Sequence, residues 1–166
     1  MIEATPSAPS EHEAAVRASI DVFVAAIRAK DVDRILSVFA NDVVSFDLGP
    51  PLQHGGGETF RRRWQAMVDA HPGELEVTLH DLQVVAGAEV AFSRSLNRIG
   101  GMTGSGSRVY RWVRWTACWR KLPDAWRIVH EHVSVPADVA GGKALVDLEP
   151  EGSTPSIAHP RGQVDG

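Results

Sequence analysis

The apolar residues of this chain change their period once, near Gly73, and that change limits the architectures open to it more than any other feature. Before it they recur at helical intervals. Ser10 and Glu13 have capping-box spacing, and Val16, Ile20, Phe23, Val24 and Ile27 then form the stripe of a first helix. Asp31 is placed to cap a short second helix carrying Val32, Ile35, Leu36 and Phe39. Gly55, Gly56 and Gly57 lead into a third, with Phe60, Trp64, Met67, Val68 and His71. Beyond Gly73 four extended runs take over, at 75–85, 90–99, 109–121 and 126–135, separated by turn residues at Gly87, Gly100 to Gly106, and Pro123 and Asp124. Helices first and antiparallel hairpins after them predict an α+β domain. The glycine-rich 100–106 segment joins two strands instead of opening a helix, so it reads as a hairpin and not as a nucleotide loop.

Residues 1–9 lack periodicity, and 137–166 run through glycines and prolines with few large apolar side chains. Both read as tails, which leaves one domain over 10–136. Ala144, Leu145, Val146 and Leu148 are an apolar exception within the second tail, placed to dock on the domain or on a neighbouring subunit. The charge balance of 17 basic against 21 acidic residues offers no broad cationic face, which argues against nucleic acid as a partner. Arg111, Arg114 and Arg120, interspersed with Tyr110, Trp112, Trp115 and Trp119, therefore read as sheet packing and not as a strand-binding surface. A single cysteine, Cys118, excludes an internal disulfide and a paired-cysteine zinc site. With no signal-like start and no long apolar run, the expectation is a cytoplasmic protein with no membrane partner.

Two segments carry a family resemblance. Residues 41–57, NDVVSFDLGPPLQHGGG, resemble the strand and loop that follow the second helix in SnoaL-like and ketosteroid isomerase-like proteins. Residues 126–136, WRIVHEHVSVP, are similar to the last strand of SnoaL-like proteins. Together with the element order, the chain resembles the nuclear transport factor two-like superfamily over roughly 11–136. That resemblance implies a cone-shaped, curved antiparallel sheet packed against three helices, a hydrophobic pocket inside it, and a homodimer through the outer sheet face.

In ketosteroid isomerase-like members the position of Asp47 holds the proton-transferring carboxylate, so the resemblance implies that role for Asp47. Apolar walls would raise its pKa and make it a useful base. The other reading of Asp47 is a turn cap over Leu48 to Pro51. The oxyanion donors of the steroid enzyme, a Tyr and a protonated Asp, have no counterpart: Phe23 stands where the Tyr would be, and no carboxylate occurs between Val109 and Lys121. Losing such donors costs about a hundredfold each, which argues against authentic steroid isomerisation.

On the last strand, alternation sets His130, His132 and Ser134 on one face and Glu131 on the other; Val129, Val133 and Val135 favour an interior containing Glu131, while Trp126 and Ile128 share the histidine face, so both faces stay open. His132 is a candidate acid or base near neutral pH. A His130 and His132 metal pair, with Asp47 or His54 adding a ligand, has no compact motif behind it. A terminal His and Ser pair also resembles metal-free carbonic anhydrases of the superfamily, at His132 and Ser134. Arg61, Arg62 and Arg63 read as the solvated side of the third helix, and Trp64 as its pocket side.

The resulting expectation is a protein that binds a small apolar molecule. It acts as an isomerase, cyclase or dehydratase without cofactor, using Asp47 and His132, on a carbonyl-bearing substrate held by Phe23, His54, Trp64, Trp115 and Glu131. The alternative is a non-catalytic ligand-binding or assembly module.

Overall fold

In the computed structural model, which describes residues 9–151, the first helix begins at the box that the sequence marks. Ser10 Oγ accepts from the Glu13 amide at 3.2 Å, and Glu13 Oε2 accepts from the Ser10 amide at 2.9 Å. Two amides left over at the helix start are thereby satisfied. Helix α1 (Glu11–Ala29) buries Val16, Ile20, Phe23, Ala26 and Ile27, and stops where Lys30 turns left-handed at φ 57°. Arg28 Nη2 donates to Val77 O at 2.6 Å, and Lys30 Nζ donates to His71 O, tying α1 to the segments beneath it.

Helix α2 (Val32–Leu36) is capped by Asp31, whose Oδ1 accepts from the Arg34 amide at 3.0 Å. Phe39, expected on this helix, instead opens strand β1 (Phe39–Phe46). The reason lies next door: the Val38 carbonyl accepts from the Ile128 amide at 2.9 Å, so the sheet has already claimed the backbone. Strand β2 (His54–Gly55), helix α3 (Glu58–Asp69) and strands β3 (Leu75–Ala86), β4 (Val90–Met102), β5 (Arg108–Lys121) and β6 (Trp126–Ser134) follow. The short β7 (Ala137–Asp138) and β8 (Lys143–Ala144) pair with each other, and Val139, Leu145 and Leu148 are exposed. Residues 1–8 and 152–166, the outer parts of the two expected tails, lie outside the described residues.

The six main strands form one sheet in the order β2-β1-β6-β5-β4-β3. All neighbours are antiparallel except β1 and β6, which run parallel, so the sheet is mixed and the chain closes it by laying its last long strand beside its first. Strand β4 extends to Met102 through Gly100 and Gly101, which the sequence pattern assigned to the hairpin. A Cβ on Gly100 would meet Val109 O at 1.9 Å and one on Gly101 would meet Glu74 O at 2.0 Å. The two glycines are there because the neighbouring strands pass too close for side chains.

Three register shifts interrupt the sheet, the first between Phe39 and Val44 of β1 against β6. Between His80 and Gln83 strand β3 carries one residue more than β4, with Asp81 at φ 54°. Between Ile128 and His130 strand β6 carries one residue more than β5, which leaves Val129 as a bulge. Extra residues of this kind increase local twist and bend a strand. The core sits between the inner sheet face and the helices, and includes Ile20, Ile27, Ile35, Val43, Trp119 and Ile128.

Candidate functional site

The bulge at Val129 decides what faces inward. Strict alternation would put Trp126 and Ile128 on the same side as His130 and His132, and the structure corrects this. Trp126 and Ile128 are buried in the core, the extra residue reverses the parity, and Glu131 then points inward as well, with 4% of its surface exposed. The strands on either side of it supply its hydrogen bonds. Ser45 lies opposite it on β1 and donates Oγ to Glu131 Oε1 at 2.9 Å; Trp115, on β5, donates Nε1 to Oε2 at 3.0 Å.

Each carboxyl oxygen thus holds one neutral donor. Burial is the largest influence on this group and pushes its pKa from 4.5 up to about 7. The hydrogen bonds from Ser45 and Trp115 pull it partly back, while the Asp47 carboxylate raises it and the Arg63 guanidinium lowers it. The result is a carboxyl group poised to hold or release a proton near neutral pH.

Glu131 opens onto a partly open cavity of about 320 Å³ lined by α1, α3 and the inner sheet face. Its walls are aromatic and aliphatic. Phe23 stacks on Trp115 with ring centroids 5.6 Å apart and meets Trp64 edge-on at 5.5 Å. Val77, Leu79, Ile99, Val113 and Val133 complete the sheet side. Asp47, just beyond the end of β1, lies at the cavity with Leu48 and Gly49. Its Oδ1 accepts from the Leu48 amide at 2.6 Å, and its Oδ2 is paired with Arg63 Nη2 from α3. Asp47 is therefore both a turn cap and an ion-pair partner.

Of the residues singled out in the sequence, Asp47, Phe23, Trp64, Trp115 and Glu131 come together around this cavity. His54 and His132 are elsewhere. His54 is buried on β2, with Nε2 3.3 Å from Gly49 O. His132 is exposed on the opposite sheet face, where its ring meets Phe46 at 6.0 Å. His130 shares that face, with Nδ1 2.8 Å from Val44 O. Among the described residues no group of three or more His, Cys, Asp and Glu is arranged to hold a metal ion.

Three inward-facing groups were not anticipated. Arg63, read as solvated, belongs with Phe60, Trp64 and Met67 at spacings of three, four and seven, which is the inward stripe of α3. Asn97 shares the inward parity of Ile99 on β4, and Ser45 that of Val43 on β1. The signal was present in each case, but a run of three arginines hid the first.

Comparison with known proteins follows the same lines. The SnoaL-like domain family matches residues 16–138. A nuclear transport factor 2-like protein of unknown function from Pseudomonas putida is 32% identical, over 83% of this chain and 96% of that one, with a TM-score of 0.74. A nuclear transport factor 2-like superfamily protein from Salmonella enterica (16% identity, 80% and 96% covered, TM-score 0.68) shares the fold. So does a ketosteroid isomerase-like protein from Erwinia carotovora (17%, 75% and 95%, 0.64). Among the curated proteins compared, none matches. The family match runs from within α1 through the whole main sheet and takes in every cavity residue named above, and the chain belongs to the SnoaL-like family of the nuclear transport factor 2-like superfamily.

Proposed function

We propose that the protein catalyses proton transfer on a small, apolar, carbonyl-bearing molecule, as an isomerase- or lyase-type enzyme, with Glu131 as the group that moves the proton. The observation that carries this reading is the setting of Glu131: a buried carboxyl group at an apolar cavity, hydrogen-bonded among the described residues only to the neutral donors Ser45 and Trp115. A carboxylate held this way is a stronger base than one in water, and its protonated form remains available as an acid near pH 7. Asp47 fits the base role less well, because both of its oxygens are engaged by the Leu48 amide and Arg63. In this reading Asp47 fixes Arg63 and the 47–49 turn, and Phe23, Trp64 and Trp115 hold the ligand's apolar body.

Hydrogen–deuterium exchange at the α-carbons of 2-tetralone in D₂O, followed by NMR, tests the proposal without knowledge of the natural substrate. The wild-type protein is expected to accelerate exchange over buffer, and Glu131→Gln to lose about a hundredfold or more of that acceleration. Equal exchange by wild type and variant, or no acceleration by wild type, would contradict it.

A further inference from the structure

The walls around Glu131 are apolar, but one donor on the far side of the cavity is left over. Asn97 lines the cavity, is 9% exposed, and has its amide oxygen fixed by Ser95, whose Oγ donates to Oδ1 at 2.6 Å. Ser95 is itself buried. The Asn97 Nδ2 group, which carries two N–H donors, makes no hydrogen bond among the described residues. Among those residues Arg63 Nη1 is the sole fully enclosed side-chain polar atom without a partner. The unpartnered Nδ2 of Asn97 therefore keeps accessible surface, and for so buried a side chain that surface is the cavity. Arg63 Nη1, having none, is out of reach of a ligand in this arrangement. A donor presented on an otherwise apolar cavity wall is matched by an acceptor from within the cavity.

We infer that Asn97 is a recognition residue that donates to an acceptor oxygen of the ligand, and that the ligand is neutral. This deepens the proposed function and rests on it in one respect, that the cavity is the binding site. Neutrality follows from the charges present. Asp47, Arg63 and Glu131 are the ionisable side chains lining the cavity, and the one cation is already matched by Asp47. An anionic ligand would bring an unmatched negative charge into an apolar cavity, at high cost.

Asn97 and Glu131 reach the same cavity from different strands. Asn97 pairs with Val113 on β5, and Glu131 pairs with Ala117 on the same strand. Four residues along and two strands across put their backbones ~13 Å by ~10 Å apart. Trp115 lies between them and reaches Glu131 with its indole. A ligand touching both groups lies along that ring.

The test compares a ketone with its hydrocarbon, 2-tetralone with tetralin, by ligand-observed NMR titration. A carbonyl that gives up water without gaining a donor binds poorly, so the ratio of the two affinities reports the Asn97 hydrogen bond and little else. Asn97→Leu is expected to lower the ketone-to-hydrocarbon affinity ratio about fivefold or more, with tetralin affinity kept within about twofold as the sign of an intact cavity. Asn97→Asp, which preserves the acceptor for Ser95 but has no donor when ionised, is expected to lower the ratio likewise. Glu131→Gln is expected to leave the ratio unchanged, which separates this inference from the assignment of Glu131. A ratio unchanged in both Asn97 variants would overturn it, as would tighter binding of 2-naphthoate than of 2-tetralone to wild type. If neither tetralin nor 2-tetralone binds wild type at millimolar concentration, the cavity is not the site and both readings fall.

Discussion

Glu131 is costly to the fold as well as useful to the site. Its carboxyl, held at about 7 in the folded chain against 4.5 in the open one, keeps its proton over a pH range in which the unfolded chain has lost it. Folded protein then binds more protons than unfolded protein, so stability is fully present below about pH 4.5 and is lost as pH rises through about 7. The size of the effect is about 3 kcal/mol. Glu131→Gln removes the titration, and urea unfolding at pH 5 and pH 8 is expected to show the variant gaining on wild type at the higher pH. No relative gain would mean that Glu131 titrates normally. The sequence named Glu131 but left its face open, because parity counted from Trp126 and parity counted from Val133 disagree until the Val129 bulge is known. Asp47 was legible by position, and its pairing with Arg63 was not, since nothing in a run of three arginines says which one turns inward. Asn97 is visible only once the inner face of β4 is fixed.

At the level of elements, helices α1 and α3 could be read from periodicity and α1 and α2 from their caps, because those signals are local. The sheet's irregularities could not, because a bulge is a relation between two strands that are distant in sequence. The same holds for the glycines that end β4. Gly101 pairs with Leu75 on one side and Val109 on the other, and a Cβ there would fall 2.0 Å from Glu74 O. The obstacle is backbone, so the strands must part to admit a methyl group. Gly101→Ala is expected to lower stability by about 1–3 kcal/mol, seen as an earlier midpoint in urea. An unchanged midpoint would show that β3 and β4 can separate there at no cost.

For the whole molecule, the change of period near Gly73 was enough to predict helices over a sheet, and the two family-like segments to predict the superfamily. The cavity depends on something neither contains. Strand β6 runs parallel beside β1, bringing Ser45 and Asp47 from one end of the domain next to Glu131 from the other. The fold was therefore legible early, while the placing of residues 45, 63, 97, 115 and 131 on the inner side of the domain was not. Burial at this cavity is what lifts the Glu131 carboxyl to near neutrality, and a ¹³C NMR titration of the glutamate side chains measures it directly. A resonance with a midpoint at about pH 7 that disappears in Glu131→Gln is the predicted result. A Glu131 midpoint near 4.5 would contradict it.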